Sequence, residues 1–235
     1  MSIEFVIKEN WFTRPPQRLG KAVTILMSFM LFFTGFYYLL DIFHMQDWIP
    51  ASREAVFQQH QYWRLWTTLW AHADLSHLFN NALLFIPLTY LLSSYFSYYF
   101  FPLLGIAMGG LVNFLVLMTM PEHTSLIGIS GVVYWMGGAW FSLYLWIDRR
   151  KNLKHRFAHV VFLLMMIFVP ESYSQHISYM SHFVGFVLGL VCGTSVYWIW
   201  RHQFLRAEVK ELVVDEDIYD VILEGEGSPL DDINQ

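Results

Sequence analysis

The chain has 235 residues, of which 56 % are apolar, 19 % aromatic and only 14 % charged, with a formal net charge of −5. A soluble domain carries about 25 % charged residues, and no water-soluble core of this length could bury so much apolar sequence. Ten of the nineteen acids follow Trp200, and an acidic tail on an apolar body argues against a nucleic-acid partner.

In chain order, Met1 to Gly20 is expected to carry no cleavable signal peptide. The first apolar run, Ala22 to Phe43, follows Arg14, Arg18 and Lys21, is too long for a signal core and lacks a small-residue cleavage pattern after it. It reads as a retained signal anchor. Further spans are expected at about 76–97, 100–119, 129–147, 157–170 and 181–200, each measured against the roughly twenty helical residues that cross a bilayer. The fifth is the shortest, because its strongly apolar part runs only from Phe157 to Val169. The fold class expected is an all-α polytopic membrane protein with six transmembrane helices.

Basic residues set the orientation. Twelve of the fourteen lie before span one, between spans four and five, or after span six, leaving only Arg53 and Arg64 elsewhere. Under the positive-inside rule both termini are cytoplasmic. The domain division expected is a cytoplasmic segment 1–21, a core 22–200 and an acidic cytoplasmic tail 201–235. Within the core, residues 44–75 form a long extracytoplasmic loop. Its Trp48, Phe57, Tyr62, Trp63, Trp66 and Trp70 suit the headgroup boundary and point to short helices lying partly in the interface. The tail passes through a Gly-Glu-Gly-Ser-Pro stretch, and its last ten residues are expected to be disordered. Cys192, the single cysteine, excludes an intramolecular disulfide and reads as a small packing residue.

Two polar clusters interrupt the apolar spans. One runs from His72 through Asp74 and His77 to Asn80 and Asn81. The other is Gly128-Ile129-Ser130-Gly131, answered later by His182. Ser130 is the candidate nucleophile, since Gly128 and Gly131 permit close backbone approach and a helix start offers unpaired N–H groups for an oxyanion. His182, expected at the same depth, is the candidate general base and acid. Gly185, Gly189 and Gly193 below it form a small-residue stripe, to be met by Gly131, Gly137 and Gly138 of span four. Tyr134 shares a helix face with Ser130 and is expected to pack on the His182 ring. No carboxylate stands at that depth to orient the histidine, so the pair reads as a Ser–His dyad.

His77 and Asn81, four residues apart, present two hydrogen-bond donors on one helix face, and the Ser130 backbone supplies another. Asn80 points away from that face. His72 is expected to bond backbone in the loop. A zinc site built from His72, His77 and His182 lacks an adjacent glutamate base and leaves Ser130 unused, so no metal or other cofactor is expected.

Together these motifs resemble the rhomboid family of intramembrane serine proteases over roughly residues 20–200. Trp63-Arg64 matches the family's Trp-Arg motif. His72 and the His77-x-x-x-Asn81 pattern match its second-span signature, Gly128-x-Ser130-Gly131 its nucleophile motif, and His182-x-x-Gly185-x-x-x-Gly189 its base and glycine ladder. Asp74 and Asn80 are local additions to the pattern. The resemblance implies a six-helix rhomboid-like bundle, in a bacterial inner membrane, that cleaves single-span or polytopic membrane proteins near the extracytoplasmic end of a transmembrane segment. It also implies an acyl-enzyme at Ser130, small residues at the cleaved position and a substrate gate around residues 170–180. A noncatalytic rhomboid-like factor that binds client helices is the alternative. Lipid and membrane-protein substrates are the partners implied, and no oligomeric state is indicated.

Overall fold

In the computed structural model, residues 4–16, 20–97, 99–121, 124–168 and 178–213 are described. Among them, four helices are long and apolar enough to cross a bilayer: Gly20–Ile42, Leu75–Tyr95, Tyr99–Thr119 and Tyr179–Arg206. Two further helices, Ser130–Ile147 and Leu153–Phe168, complete a bundle of six long helices among the described residues.

The first helix, α1 (Gly20–Ile42), buries only a narrow stripe, Ala22, Leu26, Met30 and Thr34. That four-residue spacing follows one helix face. The opposite face exposes Ile25, Phe29, Phe32 and Phe36, which is stable against lipid and not against water. The loop that follows is built of short pieces. Ala51–Ser52 (β2) precedes a turn at Glu54–Gln58, and α2 covers Arg64–Thr67. Arg64, almost fully buried, donates to the Pro50 carbonyl at 3.0 Å and to the Asp47 carbonyl. This guanidinium therefore folds the loop around itself. Trp48, Tyr62, Trp63 and Trp66 stay exposed, whereas Phe57 and Trp70 are half-buried.

Asp74 caps the next helix, α3 (Leu75–Tyr95), by accepting from the His77 N–H at 2.7 Å. A turn at Tyr99–Leu104 leads into α4 (Gly105–Thr119), and Ser125–Leu126 (β3) pairs antiparallel with β2. Gly109 and Gly110 let α4 approach Leu69 and the Trp66 indole, so the loop rests directly on this helix.

At the centre stands α5 (Ser130–Ile147), whose Trp135, Met136, Ala139 and Leu143 are fully enclosed. Its main partner is α7 (Tyr179–Arg206). A β-carbon at Gly185 would strike the Gly131 carbonyl, and one at Gly189 the Trp135 carbonyl. Gly193 abuts Ser142 and Ala139, while Gly138 abuts the Phe186 carbonyl. The two backbones thus touch at four levels, which only hydrogen side chains permit. Gly137 is also buried.

Between them in sequence, α6 (Leu153–Phe168) packs lightly through Phe157 on Phe141 and His159 on Tyr144. It starts earlier than expected, because Asn152 accepts from the His155 N–H at 3.0 Å and caps the turn ahead of the apolar run. At its far end α7 continues past position 200, with a non-helical break at Trp200. The expected gate around 170–180 lies outside the described residues, apart from 178–180. So does the tail beyond Val213.

An N-terminal strand and a strand following α7 pair in a way that no local sequence pattern predicts. Glu4–Glu9 (β1) pairs antiparallel with Val209–Val213 (β4), directly after α7. Asn10 then donates to the buried Asp148 carboxylate at 2.6 Å, and Trp11 packs edge-on to Phe204 at 5.0 Å. Arg150 grips the same carboxylate with two bonds of 2.7 and 2.9 Å. Burial alone would raise the Asp148 pKa, but these hydrogen bonds and the Arg150 charge hold it below the ordinary carboxylate value. The β1 and β4 segments, with Asn10 and Trp11, therefore close the end of the bundle at which α5 finishes.

Candidate active site

At the end where α3, α5 and α7 begin, a cavity of about 410 Å³ opens among the helices. Ser130, His182, His77 and Asn81 all line it, with Gly128 and Gly131. The six residues come from three helices and one loop, so the two polar clusters of the sequence converge in space.

Ser130 is the first residue of α5 and is half-buried. The first N–H groups of the helix to find carbonyl partners are those of Val132 and Val133, both bonded to Ile129. The N–H groups of Ser130 and Gly131 precede that ladder, as helix ends require. Gly128 sets the approach. Its φ of +110° lies in a region that side chains avoid, and a β-carbon there would stand 2.7 Å from the His77 ring. Two bonds hold the turn: the Gly128 N–H donates to the Thr68 carbonyl at 2.9 Å, and the Thr68 hydroxyl donates to the Leu126 carbonyl at 2.5 Å.

His182 is 8 % exposed, enough to reach the cavity and little else. Tyr134 lies flat on its ring, with centroids 3.9 Å apart and planes 13° from parallel. The expected packing of Tyr134 on His182 is therefore present. Among the described residues no hydrogen bond joins the Ser130 hydroxyl to the His182 ring, although both line the same cavity. Such bonds are often long in ligand-free sites and tighten around substrate.

Across the cavity, His77 and Asn81 share one face of α3, and the Asn81 side chain donates to the His77 carbonyl at 3.0 Å. That bond fixes the amide and leaves its second N–H for another acceptor. Asn80 also borders the cavity but is exposed. His72 is fully enclosed behind His77, its ring centroid 5.2 Å away. It is joined to the Thr34 hydroxyl of α1 at 3.2 Å, and the Trp70 backbone in the loop also hydrogen-bonds it, as expected. Burial, and then the neighbouring His77, push its pKa down to about 3, so the ring is neutral. Trp63 and Arg64 lie away from the cavity, in the loop that Arg64 organises.

Several lining residues escaped the sequence reading. Asn113 of α4 donates to the Leu65 carbonyl at 2.8 Å. Ser178 caps α7 and accepts from the Ser181 hydroxyl at 3.0 Å. An asparagine within an apolar span was a legible signal for a functional position. The two serines next to His182 were not distinguishable from ordinary capping residues.

The chemistry available is that of a hydroxyl, an imidazole and several hydrogen-bond donors around one cavity. The family model describing the rhomboid domain matches residues 59–199, more than half of the chain. No match to a curated protein is found by sequence comparison.

Proposed function

The chain belongs to the rhomboid family and is a multi-pass membrane protein, and from that premise we propose that it is an intramembrane serine endopeptidase. The observation that carries the reading is the shared cavity: Ser130, His182, His77 and Asn81 line it together, and Tyr134 restrains the His182 ring.

In the proposed reaction His182 takes the Ser130 proton as the hydroxyl oxygen attacks the scissile carbonyl carbon. The oxyanion that forms accepts hydrogen bonds from the Ser130 backbone N–H, the His77 ring and the Asn81 amide. His182 returns its proton to the leaving amine, and the C–N bond breaks to give an acyl ester on Ser130. Water, deprotonated by His182, then releases the new carboxyl end. The Tyr134 stack takes the orienting role that the carboxylate, the third member, fills in a triad.

Residues 22–200 form the proposed protease core, with 1–21 and 201–235 in the cytoplasm and loop 44–75 on the outer side of a bacterial inner membrane. Twelve of fourteen basic residues fall in sequence before span one, between spans four and five or after span six, which supports that orientation. Substrates are membrane proteins whose helix is weak near its extracytoplasmic end, because an intact helix shields its own carbonyls. A fluorophosphonate probe tests the reading. It should label the wild-type protein, label His182→Ala slowly and leave Ser130→Ala unlabelled. Equal labelling of folded wild type and Ser130→Ala would remove the nucleophile and favour a noncatalytic client-binding factor.

A further inference from the structure

Among the described residues that line the cavity, Asp74 is the only carboxylate, and none of them is a lysine or arginine. Its Oδ1 accepts from the His77 N–H at 2.7 Å, which pins the side chain at the start of α3. The residue is nonetheless exposed at the rim, and among the described residues no ion pair engages it. Among the described residues, therefore, the Asp74 carboxylate stands at the cavity mouth fixed in place and with no cationic side chain paired to it.

The distance to the chemistry is short. Asp74 caps the helix whose His77 and Asn81 face the oxyanion position, and one helical turn is about 5.4 Å. A side chain adjacent to a scissile bond spans that interval. We propose, on the protease reading above, that Asp74 is a specificity-determining residue that favours substrates with a lysine or arginine near the scissile bond and disfavours acidic ones. The neighbouring lining residues Ser76, Asn80 and Ser125 are neutral and polar, so they solvate a cationic side chain without competing for it.

The test uses a single-span substrate in liposomes, with each residue flanking its mapped scissile bond changed in turn to Lys, Gln or Glu. Wild type, Ser130→Ala and Asp74→Asn are compared by kcat/KM. Asparagine caps helices as well as aspartate does, so this variant removes the charge while keeping the cap. At one or more flanking positions the wild type should prefer Lys to Gln by about three- to fivefold, the upper range for an ion pair in contact with water. The same position should disfavour Glu, and both preferences should vanish in Asp74→Asn. A wild type indifferent to charge, or a preference that survives in Asp74→Asn, overturns the inference and leaves the protease reading intact. Absence of Ser130-dependent cleavage from every substrate overturns both.

Discussion

The Tyr134 ring lies 3.9 Å from the His182 ring, nearly parallel to it, across the interface between α5 and α7. Tyr134 sits one helical turn below Ser130, so the same short stretch of α5 that presents the hydroxyl also restrains the imidazole. Close backbone contact between the helices makes this possible, because the glycines of α7 meet the carbonyls of α5 with no side chain between them.

Loss of the stack should free the imidazole without removing it. Tyr134→Ala is expected to lower kcat by about tenfold to a hundredfold, the cost of small misplacements of a catalytic group. Tyr134→Phe keeps a ring against His182 and should retain more activity than the alanine variant. Equal activity of both variants would separate Tyr134 from the positioning of His182.

The glycine interface makes a stability prediction with an internal control. Gly185→Ala and Gly189→Ala force a β-carbon onto a backbone carbonyl of α5, which cannot swing aside, and should destabilise the bundle by about 1–3 kcal/mol or more. Gly35→Ala in α1 meets open space and should be neutral or slightly stabilising, since alanine is the better helix former. Unfolding in mixed detergent micelles measures all three.

At the other end of the bundle the Asp148 carboxyl titrates below its ordinary value. Its unfolded pKa is about 3.9, so the folded state holds the proton less tightly, and the stabilisation is complete above that pH and disappears as pH falls through the folded value. Asp148→Asn should therefore cost about 1–3 kcal/mol near neutral pH, the worth of hydrogen bonds to a buried charge. The gap from wild type should close on acidification below about pH 4. A gap independent of pH would contradict the assignment.

His72 gives a slope in a different window. Its folded pKa is about 3, against about 6.5 for a free histidine. Between those values the unfolded chain binds the extra proton, so stability falls as pH drops from about 6.5 toward 3. His72→Asn removes that group and should flatten the dependence in this window relative to wild type. Unfolding curves at pH 7, 5 and 4 for the two proteins measure the difference.

Much of the architecture was legible because lipid imposes a simple rule: apolar runs near twenty residues become helices. The spans at 22–43, 76–97, 100–119 and 129–147 agree with the observed helices to within a few residues. The start of α6 was missed because hydropathy outweighed the Asn152 cap, a local signal present in the sequence. Pairing of β1 with β4 joins segments some two hundred residues apart, and no local pattern encodes such a contact. At the site, fixed spacings made His77 with Asn81 and Ser130 with Tyr134 readable. The contributions of Asn113, Ser178 and Ser181 depend on how separate helices meet, which spacing along one helix does not reveal.

The most direct measurement is cleavage of single-span membrane substrates in liposomes by wild type and by folded Ser130→Ala. The account predicts cleavage by the wild type near the extracytoplasmic end of the substrate helix and none by the variant. Equal cleavage by both proteins would contradict the assignment of Ser130 as the nucleophile.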